Sequence, residues 1–469
     1  MITPLKTTVR PSSDYGLWVG FNDLNPFQPN SNILLCTGSV NWDKPPRLGE
    51  LADVVAFDSK NQEGIVIGHT TAVNYPIGAR PQSVITNGLP NYLINNIVDN
   101  IPCLDIYDHQ FNHVKSINGF HHWCTNKDGS HSYCLDFEVT HRLGGYGYIF
   151  GNHKLGLSGY KFPNSISLYS HQDDKYLQLL SIDDAAKLVA ERLGLNLGSI
   201  RENAYFSHLL LSPSENRLAF LFRSWLRDGG ILTVLMSLDL ERGISFKFLK
   251  IELVGQLSHF TWSNENEIII YCYQILSKQS LRLKLHTLSQ LLPISKLSKA
   301  AVNVLRSVVI RKHKKSLGWD ETNAFPFVKS LQLPCFMRVK DSQAKPVSFG
   351  LPNVDGHPSV IRSSSGPILV SDTYPNKYNN RCLFIINLSS ENVILKEIHS
   401  EYHPALIPTY SWVARHIRLP SHAVFPVADQ SFTRSGLHCD LHPFVNAEGN
   451  MLGYHVSEDG YRTVKVVKI

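Results

Sequence analysis

Apolar and polar positions along this chain fall into a recurring pattern. Ser207-His208-Leu209-Leu210-Leu211-Ser212, Ser258-His259-Phe260-Thr261-Trp262-Ser263, Gly356-His357-Pro358-Ser359-Val360 and Leu441-His442-Pro443-Phe444-Val445 each set a histidine before a short apolar strand. A polar turn follows, and a second apolar strand begins about ten residues after the histidine. Short strands and turns repeating at about 45 to 50 residues predict a β-propeller, whose innermost strands all face one axis. Histidines at the starts of those strands then converge on the hub.

Elsewhere the same alternation predicts strands at Val54-Val55-Ala56-Phe57, Gly64-Ile65-Val66-Ile67 and Cys103-Leu104-Asp105-Ile106-Tyr107, with turns at Asn118-Gly119 and Lys127-Asp128-Gly129. The expected fold class is all-β, a seven-bladed β-propeller with short helical insertions; seven units of about 50 residues account for most of the chain. Residues 1–50, rich in Pro, Asn and Asp, read as an irregular segment that packs on the propeller or completes its first blade, and 51–469 as one propeller domain. Ser181 to Gly194 carries a helix signature: a capping serine, Asp183 and Asp184 in the first turn, an apolar stripe through Ala185, Leu188, Val189 and Leu193, and a closing glycine. A second helix is predicted from Ser295 to Lys315, ending in the basic residues Arg311, Lys312, Lys314 and Lys315.

Composition narrows the class of partner. No apolar run in the 469 residues is long enough to span a bilayer, and Met1 to Gly16 contains Lys6 and Arg10 without an apolar block behind them. The expectation is a cytoplasmic protein with no membrane span, or a secreted or periplasmic one should a leader precede this sequence. Eight cysteines, at 36, 103, 124, 134, 272, 335, 382 and 439, are scattered and suit buried or metal-bound thiols better than disulfides. The net charge of +6 and the 21 histidines are compatible with an acidic polymer as partner. Without a concentrated Lys/Arg stripe interleaved with aromatics, nucleic acid is not expected.

Two constellations carry chemistry. In Leu437-His438-Cys439-Asp440-Leu441-His442-Pro443 a thiolate and an imidazole stand three residues apart at a blade entrance and can chelate one ion. Two further ligands must come from other blades, His357 and His259 first and His208 in reserve; sulfur and nitrogen donors in a tetrahedral set favour zinc. Each histidine alone equally suits a hydrogen bond to a turn carbonyl. The second constellation is an acid–base centre. Gly119-Phe120-His121-His122-Trp123 precedes Thr140-His141-Arg142 by about one hairpin, which places His121 or His122 near His141 on neighbouring strands. Gly144-Gly145-Tyr146-Gly147-Tyr148 leaves backbone room for a bulky ligand, and Arg201 and Arg223 can each clamp a carboxylate. Phe222-Arg223-Ser224-Trp225 also reads as a blade edge with a cation–π contact.

With these residues assembled, the chain resembles the propeller-fold polysaccharide lyases, which include oligogalacturonate lyases and ulvan lyases. The matching words are Ser258-His259-Phe260-Thr261-Trp262, Asp355-Gly356-His357-Pro358-Ser359 with Ser371-Asp372-Thr373-Tyr374-Pro375, and Cys439-Asp440-Leu441-His442-Pro443, so the likeness covers residues 200–460, and Gly145-Tyr146-Gly147-Tyr148 extends it. The resemblance implies a seven-bladed propeller with an axial metal that cleaves a uronate-containing polysaccharide by β-elimination. His259, His357, Cys439 and His442 then hold a divalent metal, zinc foremost. His121 and His141 transfer protons, Tyr146 acts as acid, and Arg201 or Arg223 neutralises the uronate carboxylate; His122, Asn203, Tyr205 and His208 bind substrate. Two family histidines are absent, one in the stretch Asn203-Ala204-Tyr205 and one before Arg223, where Phe222 stands. A non-degradative carbohydrate-binding or assembly propeller in surface-polysaccharide synthesis is the alternative expectation, and a protein-interaction propeller with a structural metal a third.

Overall fold

The computed structural model describes residues 7–468 apart from 13, 22, 29–30, 41–46, 75–76, 87, 152–158, 227–230, 242–244, 277–334, 348–354, 364–365, 373–380, 390–391, 400–413, 419–423, 429–441, 447–449 and 459–460. The helix expected at 295–315 and the ligand Cys439 lie outside the described residues.

Strands follow one another as antiparallel meanders, the sheet form of a propeller. Gly16–Trp18, Ile33–Ser39, Ala52–Asp58 and Glu63–Thr70 pair in sequence order, and Thr8–Val9 adds an outer edge. Gln82–Thr86 to His113–Asn118 make a four-stranded sheet, as do Cys124–Thr125 to Lys175–Ser181 and Ser359–Ser363 to Asn392–His399. A seven-stranded sheet runs from Ala204–Leu211 to Gln343–Pro346. A two-stranded sheet (Ala414–Arg418, Val424–Ala428) and a three-stranded one (Phe444–Val445, Met451–Glu458, Tyr461–Lys468) complete the set.

The all-β, propeller-like arrangement therefore stands, but not as seven equal blades: among the described residues five sheets have four or more strands. The physical reason lies in the 20-residue strand Ser245–Asn264. Up to Gly255 it pairs with Ile231–Glu241, and from Gly255 onward with Glu267–Ile275, so two repeats fuse into one continuous sheet. Gly255 permits the handover, because a Cβ there would lie 2.0 Å from the carbonyl oxygen of Gln274.

Apolar faces pack sheet against sheet. Ile269, Tyr271 and Phe336 of the seven-stranded sheet share a core with Leu369, Phe384 and Ile386 of the next. Leu17, Val19 and Leu34 share another with Phe444 and Val464, so the two ends of the chain meet in one core. Burial of each such side chain contributes about 1.5 to 3 kcal/mol. Cys36, Cys103, Cys124, Cys134, Cys272 and Cys335 are buried and free, and burial pushes thiols such as that of Cys103 up to about 11.

Helix α2, Ile182–Leu193, matches its sequence signature: Ser181 accepts from the Asp184 N–H, and Gly194 closes the helix with φ of 67°. Helix α1, Phe137–Gly144, was not expected. Asp136 caps it and Gly145, at φ of 78°, terminates it. His141 therefore stands on a helix and not on a strand paired with the 121–122 segment. A short helix, α3 (Leu197–Arg201), leads into the seven-stranded sheet. No helix among the described residues is long and apolar enough to cross a membrane.

Candidate functional site, a histidine hub

Bulged and turned backbone delivers four histidines to one place. In Ala204–Leu211, His208 and Leu209 together oppose one partner residue, because the register jumps between Ser207 and Leu210. In Ser245–Asn264 the same jump spans Ser258 and His259. Such bulges re-aim side chains and sharpen strand twist. His357 and His442 are each followed by proline and enter the strand starts at Ser359 and Phe444. His208 (φ 57°) and His442 (φ 41°) adopt the left-handed backbone that non-glycine residues rarely take. Ring centroids lie 5.5 Å apart for His208 and His259, 4.3 Å for His259 and His357, and 4.1 Å for His357 and His442.

Carboxylates stand behind two of these rings. Nδ1 of His357 faces Oδ1 and Oδ2 of Asp372 at 2.9 and 3.0 Å; Asp372 also accepts from the backbone N–H groups of His357 at 2.7 Å and His442 at 3.3 Å. Nδ1 of His259 lies 3.0 Å from the Ser258 hydroxyl and 3.7 Å from Asp355, which in turn accepts from the Tyr273 phenol at 2.8 Å. Among the described residues neither nitrogen of the buried His208 has a hydrogen-bond partner. Burial, followed by the charge of Arg223, holds the His208 pKa well below the usual imidazole value; burial and His357 lower that of His259. Both shifts favour the neutral ring, the state that offers a lone pair to a metal. As placed, no group of three or more His, Cys, Asp or Glu side chains among the described residues is arranged to hold an ion. The rings of His208 and His259, and of His357 and His442, meet edge to face, while those of His259 and His357 are tilted by 52°.

Phe21 closes the hub. Its ring stacks on His208 at 5.2 Å and sets edges against His259 at 6.2 Å and His442 at 5.4 Å. Beside His208 lies Tyr146, whose phenol oxygen accepts from Nη1 of Arg223 at 2.9 Å; Tyr205, directly across from Arg223 in the sheet, joins this hydrogen-bonded group.

The remaining expected site residues do not gather here. His121 is sealed in the core: Nε2 donates to the Asn96 carbonyl at 2.7 Å, Nδ1 accepts from the Tyr160 phenol at 2.6 Å, and burial lowers its pKa to about 3. His122 donates from Nε2 to the Arg80 carbonyl at 2.7 Å and is lowered to about 3 by burial and then by Arg80. Arg201 sits exposed at the end of α3, 2.6 Å from Asp183 of α2. Asn203 is buried at the strand start, where its carbonyl accepts from the Trp225 N–H. Of the expected catalytic and substrate set, Tyr146, Tyr205, His208 and Arg223 lie beside the metal-candidate histidines.

Sequence reasoning gave no role to Phe21, Asp355 or Asp372. The two aspartates stand in the histidine-containing words themselves, and their spacing to His357, two residues before and fifteen after, is the signal that could have found them. Nothing local marks Phe21.

No protein-family model and no curated protein matches the chain. Among solved structures, the β-propeller domain of the Trilobed protease from Pyrococcus furiosus aligns at 10% identity and a TM-score of 0.36 over 82% of this chain and 83% of that one. A puromycin-hydrolyzing peptidase from Mycobacterium tuberculosis aligns at 9% identity and 0.41 over 96% of this chain and 55% of that one, so the chain spans about half that enzyme's length. A functionally unknown protein from Desulfotomaculum acetoxidans DSM 771 aligns at 9% identity and 0.37, covering 91% of each. These neighbours are peptidases and an uncharacterised protein, not polysaccharide lyases. With His121 sealed, His141 on a helix and Arg201 engaged by Asp183, the expected uronate-cleaving β-elimination is overturned.

Proposed function

We propose that this chain is a metal-binding propeller whose hub ligates one divalent transition-metal ion, zinc first, through His208, His259, His357 and His442. The observation that carries this reading is His208: a buried imidazole in left-handed backbone, on a β-bulge, with neither nitrogen hydrogen-bonded among the described residues. An unsatisfied buried polar group costs about 1 to 3 kcal/mol, and strained backbone of this kind concentrates at functional sites. Each neighbouring pair in the series His208, His259, His357 and His442 has ring centroids 4.1 to 5.5 Å apart, so the imidazoles follow one another within reach of a shared ion once their rings turn. The Asp372 and Asp355 contacts are of the kind that fixes the tautomer and orientation of ligating histidines. Cys439, three residues before His442, is a further candidate donor outside the described residues.

Held by all four imidazoles, a divalent ion would have a closed tetrahedral shell, the form of a structural site that ties the blades together. Arg223 and Tyr146 contribute a guanidinium and a phenol next to His208, able to orient a polar ligand on that side. The test is elemental analysis of protein purified without chelator and after reconstitution with Zn²⁺. About one ion per chain is expected, falling at least tenfold in His208→Ala and His357→Ala. A chain that takes up no ion under either condition overturns the reading.

A further inference from the structure

Cys272 and Cys335 are distant in sequence and directly opposite one another in the structure. Cys272 belongs to the strand Glu267–Ile275 and Cys335 opens the strand Cys335–Lys340; their antiparallel register runs unbroken from Glu267↔Lys340 to Cys272↔Cys335. Facing residues in such a register project from the same side of the sheet. Both cysteines accordingly fall in one core with Leu257, Ile270 and Met337. Both are free thiols, pushed up by burial to about 12 for Cys272 and about 11 for Cys335, and the second cause at Cys272 is the nearness of Cys335 itself. Among the described residues no other two cysteines are register partners.

The hydrogen-bonding phase of the ladder bears on what this pair can do. The Val347 N–H donates to the Phe336 carbonyl, so the peptide groups of Phe336 face Gln343–Pro346 and those of Cys335 face Cys272. Cys272 and Cys335 are therefore a hydrogen-bonded pair, with Cα atoms about 5.5 Å apart. A disulfide tolerates Cα separations of about 4.4 to 6.8 Å but draws its Cβ atoms to about 3.8 Å, closer than the roughly 4.5 to 5.5 Å of facing strand residues. The bond is within reach and strained, which is the condition of a readily reduced disulfide.

We propose that Cys272 and Cys335 form a reversible disulfide that clasps the strand Cys335–Lys340 onto the sheet. The oxidant is a low-molecular-weight disulfide such as oxidised glutathione. One cysteine thiolate attacks it, forming a mixed disulfide and releasing one glutathione thiolate; the second cysteine thiolate then displaces the other glutathione and closes the protein bond. Two protein thiols are oxidised, one glutathione disulfide is reduced to two thiols, and the two protons pass to them. Cys335 is the point of entry, because it is the first residue of its strand and fraying begins at strand ends. Its neighbour Phe336 shares a core with Leu369 and Phe384 of the next sheet, so the bond secures the junction between two sheets.

Wild type is equilibrated with mixtures of oxidised and reduced glutathione, both folded and while refolding from urea, so that burial of the thiols is no barrier. Alkylation, digestion without reduction and mass spectrometry then map the linkages. A pair of peptides joined through Cys272 and Cys335 is expected at the oxidising end, falling about tenfold or more when the mixture is made reducing. The oxidised form should melt about 3 °C or more above the reduced one, and Cys335→Ala should abolish both the linked peptides and the redox dependence of melting. The wild-type map decides the linkage by itself should the variant fail to fold. Absence of the linked pair at every ratio, refolding included, overturns the proposal, as does a melting temperature that does not respond to its formation.

Discussion

Nδ1 of His357 sits between the two carboxylate oxygens of Asp372, at 2.9 and 3.0 Å, with both residues buried. The pair comes from the start of one strand and the end of its neighbour, and Asp372 also accepts from the backbone N–H of His442. One carboxylate thus orients one hub imidazole and fixes the chain segment that carries another.

Asp372→Asn should keep the shape and lose the charge behind His357. If the hub holds a metal, affinity should drop about 10- to 100-fold, as for other second contacts to ligating histidines. Competition with a chromophoric chelator measures it. Unchanged affinity would show that Asp372 serves only the fold.

Arg80 and Arg201 should separate by burial. Nη1 of Arg80 lies 3.2 Å from Asp23, and Arg80→Ala leaves that carboxylate buried without its cation, for a loss of about 3 to 5 kcal/mol. Arg201→Ala removes an exposed pair with Asp183, for no more than about 1 kcal/mol. Urea denaturation of both variants checks the ranking, and a costly Arg201 variant would contradict its placement on the outside.

Stability should decline on acidification. Burial holds His121 and His122 neutral, with pKa values of about 3 against an ordinary 6.5. Below pH 6.5 the unfolded chain takes up protons that the native state refuses. Stability is therefore complete above that pH and falls as pH drops toward 3, each histidine adding a slope of up to about 1.4 kcal/mol per pH unit. Denaturation midpoints from pH 7 to 4.5 give the slope, and His121→Gln should reduce it. An unaltered slope would remove His121 from the account.

Gly255→Ala should destabilise the seven-stranded sheet. The added carbon meets the Gln274 carbonyl at 2.0 Å, a clash with backbone that cannot turn aside, for a loss of about 1 to 3 kcal/mol. Thermal unfolding against Gly194→Ala, where no atom lies within 4 Å of the added carbon and only the left-handed φ is strained, tells crowding from conformational strain.

Local sequence settled what local physics controls. Alternating apolar positions gave the antiparallel strands, the recurring histidine words gave the hub, although His208 and His259 sit on bulges within their strands and His357 and His442 precede strand starts, and Ser181 with Gly194 bounded α2, because caps and periodicity act within a few residues. Tertiary structure decided the rest. Helix α1 is only eight residues long and forms where Asp136 caps it and core aromatics receive it, so His141 left the strand that pairing alone suggested. His121 became a core residue because Asn96 and Tyr160, 25 and 39 positions away, take both its nitrogens. Phe21 reached the histidines through the Asp23–Arg80–Trp123 anchor, whose members are 57 and 100 residues from Asp23. Contacts at such separations depend on ring closure, and no short window of sequence contains it.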